Sequence, residues 1–390
     1  MSNVPKLRFK EFSEEWAEKK LLSLSENGFS NGAFNDPKKV GSGYKIINVK
    51  DMYIDGTINT NSLTKVALDE KEFLKNRVEY GDIFFTRSSL VKEGIAYSNI
   101  NLSNDEDLTF DGHLIRMRPK KEICSPIFLY YNFKTQRVRN QFIVRGKTTT
   151  MTTIGQDDIS SVNISLPSKQ EQEKIALFLT SVDTKIEQLT KKEQLLQQYK
   201  KSVMQKIFNQ EIRFKDDDGS EFCDWEEKKL DDVLKTVSTK LYQIKNSDIL
   251  SEGLFKVVDQ GQKTIAGYSN DTEKVYSSGD IIVYGDHTTI VKYIDFDFIV
   301  GADGTKLLNT TKDNNLKYMY YNLVFNNIEA EGYKRHFSIL RNITLQIPSL
   351  KEQIKIANFL SSIDSKIEQV QKQLNFTKEF KKALLQKMFI

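Results

Sequence analysis

The chain has 390 residues, of which 39% are hydrophobic and 11% aromatic, so it is too long for one ordinary core and too apolar to be a disordered tail. Its net charge is only +4, which excludes a broad positive field. No run reaches the length of a membrane span, and the N-terminal stretch from Met1 to Phe12 has no apolar signal core, so no membrane is expected and the cytoplasm is the expected location.

Taken in order, residues 1–165 form a first head of mixed character. Tyr44 to Val49 and the run opened by Gly81-Asp82-Ile83 read as strands, and Ser125-Pro126 opens a short helix through Asn132. Residues 166–210 come next as a long helix started by Pro167-Ser168. Its apolar stripe, Ile175, Leu179, Val182, Ile186, Leu189, Leu196, Val203 and Ile207, steps mostly by three and four. Residues 211–346 form a second head, with a strand over Asp280 to Tyr284 and a helix over Leu316 to Asn322. Residues 347–390 repeat the long helix, with Ile356, Leu360, Ile363, Ile367, Val370, Leu374, Leu384 and Met388 as its stripe.

The two helical segments align without a gap at a constant offset of 181, Pro167 on Pro348 and Asp183 on Asp364, and about half of the paired residues are identical. The duplication reaches into the heads: Trp16 and the Glu18-Lys19-Lys20-Leu21 run match Trp225 and Glu227-Lys228-Lys229-Leu230, and Gly81-Asp82-Ile83 matches Gly279-Asp280-Ile281. A 3.5-residue apolar spacing over such a length makes a coiled-coil seam and a rod of ~60 Å. The fold class expected is α+β: two mixed heads joined by two long antiparallel coiled-coil helices, with an internal pseudo-two-fold. Segments 166–208 and 347–389 hold 16 basic and 9 acidic residues, against 41 and 44 elsewhere. The heads could therefore bind nucleic acid only through local patches.

No catalytic constellation is legible, and none of catalytic residue, metal ligand or cofactor is expected. His113, His287 and His336 lack metal spacing, Cys124 and Cys223 fall in different halves, and the glycines of Gly301-Ala302-Asp303-Gly304-Thr305-Lys306 lack phosphate-loop spacing. What recurs in both heads is polar loop chemistry suited to base edges and phosphates. In the first head the candidates for DNA contact are Arg87, Ser88, Ser89, Arg145, Lys147 and Thr148. In the second they are Gln260, Gln262, His287, Thr288, Arg335 and His336, the last two in the run Tyr333-Lys334-Arg335-His336. Gln can pair with adenine, Arg with guanine, and hydroxyls serve phosphates or bases.

The head–helix–head–helix order, the two segments beginning at Leu166 and Ile347, and the second-head run from Val257 to Tyr268 together resemble the DNA specificity subunit of type I restriction-modification systems. The resemblance implies a non-enzymatic protein with two target-recognition domains, residues 1–165 and 211–346, each reading half of a bipartite asymmetric site in double-stranded DNA. It implies spacer helices at 166–210 and 347–390, docking of two modification (methyltransferase) subunits, and restriction subunits recruited through them. Two other classes compete: a self-contained DNA methyltransferase or nuclease, disfavoured by the missing cofactor and metal motifs, and a coiled-coil adaptor without DNA, disfavoured by the matched polar loops.

Overall fold

The computed structural model describes residues 4–34, 37–54, 56–301, 303–332 and 334–390. The chain divides into two compact units, Met1–Thr190 with Lys372–Ile390, and Lys191–Gln371. Each unit therefore holds one head, the first part of the long helix that follows that head, and the last part of the other long helix. The helices run Lys169–Phe208 and Leu350–Lys387.

Each head is built on the same topology. In the first unit a four-stranded antiparallel sheet has the order Ser25–Asn31, Leu114–Pro119, Ile83–Thr86, Ser98–Ile100. In the second the order is Leu234–Val237, Thr305–Thr310, Ile281–Gly285, Val291–Ile294. A three-stranded sheet accompanies each. Val40–Ile47 lies between antiparallel Thr64–Val66 and parallel Leu108–Phe110. Phe255–Val258 lies likewise between Gly267–Ser269 and Phe298–Val300. A two-stranded ribbon brings the start of each head to its end, Ala17–Lys20 on Asn163–Leu166 and Glu226–Lys229 on Thr344–Ile347. The central strands Ile83–Thr86 and Ile281–Gly285 are buried along their whole length, which is why they read as unbroken apolar runs.

The long helices start where a serine follows a proline. Ser168 Oγ accepts from the backbone of Glu171 at 3.4 Å, and Ser349 Oγ from that of Glu352 at 3.4 Å. The next residue in each motif is a buried glutamine that ties the helix to its head. Gln172 accepts from the Ser125 backbone at 2.9 Å and donates to the Pro167 and Ile123 carbonyls. Gln353 accepts from the Asn315 backbone at 2.8 Å and donates to the Pro348 carbonyl and the Asn314 side chain. Ser125 and Asn315 cap the short helices Pro126–Phe133 and Leu316–Phe325, so one amide joins two helix starts. The buried glutamates beside them hold arginines from the entry segments, Arg8 on Glu171 and Arg213 on Glu352.

The antiparallel run of the helix segments is visible inside each unit. In the first, Leu7 donates to the Lys387 carbonyl and Arg8 reaches Glu171, while Lys381 pairs with Asp183 at 2.5 Å. In the second, Lys200 pairs with Asp364 at 2.6 Å. Both carboxylates also accept from a head tyrosine, Tyr131 Oη on Asp183 at 2.8 Å and Tyr321 Oη on Asp364 at 2.6 Å. The lysines lie over those same rings, 5.6 Å and 5.1 Å from the centroids. A Tyr–Asp–Lys triad thus fastens the head, its own helix and the returning helix at one point in each unit. Burial pushes both phenols above the ordinary tyrosine range.

The apolar stripe is broad where it meets a head and narrow between. Ile175, Ala176, Leu179 and Val182 join the first core, with Leu384, Met388 and Phe389 of the other helix. Ile356, Ala357, Leu360 and Ile363 join the second core, with Met204, Ile207 and Phe208. Between these stretches Leu196 is only half-buried, and Leu195 and Tyr199 are exposed. A two-stranded seam covers little more than one side chain per turn.

Candidate nucleic-acid interface

In the first head five of the six expected residues come together. Ser88–Ser89 pairs with Thr152–Thr153, which pairs with Lys147–Thr148, and the three form a small antiparallel sheet. No counterpart of this sheet occurs in the second unit among the described residues. The hydroxyls of Thr148 and Thr152 meet at 2.9 Å. Arg87 is exposed and lines a cleft of about 420 Å³ with Lys147, Asn31, Gln156 and Asp158. Gln156 donates to the Asn31 side chain at 2.6 Å, and Lys147 lies 3.4 Å from Asp158. The sixth, Arg145, stands outside the small sheet at the end of the helix Gln136–Arg145, donating to Ser161 Oγ at 2.9 Å and to the Gln141 carbonyl at 3.0 Å.

In the second head, loops far apart in sequence meet around Gln260. Its amide donates to the Asp303 carbonyl at 2.8 Å and accepts from the His287 backbone at 3.1 Å. Thr288 Oγ1 donates to the Gln260 carbonyl at 2.5 Å. His287 Nδ1 lies 3.0 Å from the Lys334 carbonyl, an acceptor, so that nitrogen carries the proton. The approach needs glycine. A Cβ on Gly285 would stand 2.1 Å from Thr288 Oγ1, and one on Gly304, at φ +85°, 2.7 Å from the His287 ring.

The Gln260 amide and the Thr288 hydroxyl hold these loops together. His336 is 1% exposed, with Nδ1 on the Asp286 carbonyl and Nε2 accepting from the Glu331 backbone, so it is a core residue of the site. Gln262 and Arg335 are exposed and His287 is half-buried. Ala302 and Tyr333, which fall within the expected loops, lie outside the described residues.

Sequence reading passed over the groups that organise this cluster. Asp286, buried, accepts from the Phe337 backbone at 2.9 Å and lies 3.9 Å from Lys306. Lys292, 7% exposed, donates to the Asp259 and Lys263 carbonyls at 2.8 and 2.6 Å and so pins the loop that carries Gln260 and Gln262. Burial holds its pKa below the ordinary lysine value, with Asp259 opposing. Neither residue's role is legible in the sequence, since their hydrogen-bond partners are backbone atoms of other loops. Lys292→Met is expected to leave those carbonyls without their donor, at about 1–3 kcal/mol. Hydrogen exchange should then quicken over residues 259–263 while Ile281–Gly285 keeps its protection; unchanged exchange in the loop would show that Lys292 does not pin it.

Among the described residues no group of His, Cys, Asp and Glu is arranged to hold a metal ion, and no helix is long and apolar enough to cross a membrane. Cys124 is buried, which pushes its thiol up to about 12, and Cys223 is exposed; neither forms a disulfide. The arrangement offers hydroxyls, amides and cations on rigid loops, the chemistry of recognition.

The family model described as "Type I restriction modification DNA specificity domain" matches residues 13–198 and 223–376. A Methanocaldococcus jannaschii protein, provisionally assigned as the MjaX type I restriction enzyme specificity subunit, is 26% identical over 98% of this chain and 95% of its own length. The MjaVIII specificity subunit of the same organism is 24% identical over 70% of this chain and 71% of its own. Among solved structures, the type I restriction-modification S subunit from M. genitalium superposes with a TM-score of 0.64 over 99% of both chains at 16% identity, a likeness of fold.

Proposed function

This chain belongs to the type I restriction-modification DNA specificity family, and from that premise we propose how its two heads divide the work. As a specificity subunit it is non-catalytic, and methyl transfer and cleavage lie in other subunits of the system. Residues 1–165 and 211–346 act as target-recognition domains, each reading one half of a bipartite, asymmetric site in double-stranded DNA. Residues 166–210 and 347–390 act as spacers that set the distance between the halves. Two modification subunits dock on the chain, restriction subunits join through them, and the assembly works in the cytoplasm.

One observation carries this reading: the two heads share their four-stranded sheet, the three-stranded sheet beside it and the closing ribbon, yet differ where their loops emerge. The first builds the sheet of Ser88–Ser89, Lys147–Thr148 and Thr152–Thr153. The second builds the cluster of Gln260, His287 and Thr288. A common scaffold with unlike reading loops suits two unlike half-sites. The contact residues in this reading are Arg87, Ser88, Ser89, Lys147 and Thr148 in the first head, and Gln262, His287 and Arg335 in the second. Truncating a base-reading member should cost about 1–3 kcal/mol and relax one position, while a phosphate contact should weaken all sequences alike.

The test is an exchange of heads. Replacing residues 1–165 with the first head of another family member, in a complex with the modification subunits, should change one half of the methylated sequence and leave the other. Sequencing of modified sites reads this directly. Simultaneous change of both halves would refute the division of labour.

A further inference from the structure

We propose that Leu90 reads a thymine through its 5-methyl group in the major groove, within the half-site of the first head; this rests on the DNA-reading role proposed above and deepens it. Leu90 is 87% exposed, and Val91 beside it is 60% exposed. It lies in the hairpin loop that links the central strand Ile83–Thr86 to Ser98–Ile100. Ile83 pairs with Ile100 in this hairpin, whereas Ile281 pairs with Ile294 in the matching hairpin of the second head. The first loop is therefore four residues longer, and it carries the exposed leucine.

A leucine exposed on a mobile loop would mean little, but this loop is fixed. The Arg139 guanidinium donates to three of its carbonyls, Glu93 at 2.8 Å, Ile95 at 2.6 Å and Ala96 at 2.7 Å. Ala96 is held at φ +48°, a left-handed conformation that a residue with a Cβ adopts only under constraint. Gly94 lies so close to Ser89 that a Cβ there would stand 2.4 Å from Ser89 Oγ. Ser89 Oγ accepts from the Val91 backbone at 3.3 Å, which sets the turn at Leu90 itself. The structure thus holds an apolar side chain out in solvent on a braced support.

The neighbours indicate what covers it. Ser88 and Ser89 directly precede Leu90 on the small sheet, which also bears Thr148 and Lys147, with Arg87 at its edge. Hydroxyls and cations of this kind meet phosphates and base edges, and a narrow β-ribbon fits the major groove. The apolar group that the major groove presents is the thymine methyl, which an exposed aliphatic side chain contacts.

The experiment uses the full chain assembled with its modification subunits and the cognate duplex. Each thymine of the first head's half-site is replaced in turn by deoxyuridine, which removes only the methyl. The parent should lose about fourfold in affinity at one such position, the factor for withdrawing one methyl-sized apolar contact. Leu90→Ala, whose side chain lies in solvent and whose loss should leave the melting temperature unchanged, should lose a similar factor on the thymine duplex. It should be indifferent to uracil at that position. Discrimination in the other half-site should persist in both proteins. A parent indifferent to uracil throughout the half-site overturns the inference, as does a Leu90→Ala variant that still discriminates. A rise in 2-aminopurine fluorescence next to the step, present for the parent and absent for Leu90→Ala, would show a wedge between bases and also overturn it. In each of those outcomes specific binding persists; a parent complex that cannot tell cognate from scrambled duplex defeats the DNA-reading role itself.

Discussion

Ending the chain after Lys382 is expected to dismantle the first unit and leave the second standing. The deleted stretch contains Leu384, Met388 and Phe389, at 3%, 2% and 7% exposure, all in the first core. The Phe389 ring lies 5.3 Å from that of Phe128 and 6.3 Å, edge-on, from that of Trp16. The Lys387 carbonyl accepts from Leu7, so the deletion also frees the entry segment. Removing one large buried side chain costs about 2–5 kcal/mol, and three together approach the whole stability of an ordinary domain, about 5–15 kcal/mol. The helix-end residues that close the second core, Met204, Ile207 and Phe208, are untouched. Hydrogen exchange should show Ile83–Thr86 and Leu114–Pro119 losing protection while Ile281–Gly285 and Thr305–Thr310 retain it. Full protection in the first head after the deletion would mean that its core closes without the distant helix.

The second large effect concerns the buried glutamates. Glu171 is 1% exposed and accepts from Arg8 Nε and Nη2 at 2.8 and 2.7 Å. Glu352 is fully buried and accepts from Arg213 Nε and Nη2 at 3.3 and 3.0 Å. Hydrogen bonding to these carboxylates raises the pKa of both arginines. Deleting either arginine strands a carboxylate in the core, which costs about 3–5 kcal/mol. The two sites differ in one donor. Trp225 Nε1 donates to Glu352 at 3.1 Å, whereas Trp16 Nε1 is buried without a partner. Arg8→Ala should therefore destabilise the first unit by more than Arg213→Ala destabilises the second. Denaturant unfolding monitored separately in each unit by hydrogen exchange gives the two losses, and the opposite order would deny the indole its role.

The repeat itself was plain in the sequence because a gapless offset needs no knowledge of space. Pro167 and Pro348, with the serines after them, mark helix starts, and Gly81-Asp82-Ile83 and Gly279-Asp280-Ile281 lead into buried central strands. The site was less legible because a polar residue's availability depends on what the fold places beside it. Gln260 has the side chain for adenine, but no sequence signal tells that Asp303 and His287 already hydrogen-bond its amide. His336 looks like a loop residue until both ring nitrogens are found on backbone atoms. Arg145 carries a suitable guanidinium, but Ser161 lies within its reach. Glu171-Gln172 and Glu352-Gln353 stand in view in the repeated strings, but nothing in those strings marks them as buried. Arg8 and Arg213, which bury the glutamates, lie more than a hundred residues upstream.

The borrowed helix end also sets an order of events during synthesis. The second unit, Lys191–Gln371, is contiguous and can close as soon as it leaves the ribosome. The first head is made earlier, yet Leu384, Met388 and Phe389 emerge only after the whole second unit. At about 5–20 residues per second, the 181 residues of Lys191–Gln371 keep Trp16 and Phe128 waiting for roughly 10–40 s. Through that interval the nascent first head presents an incomplete apolar core, a surface suited to chaperones, and the half of the protein translated first is the half that matures last.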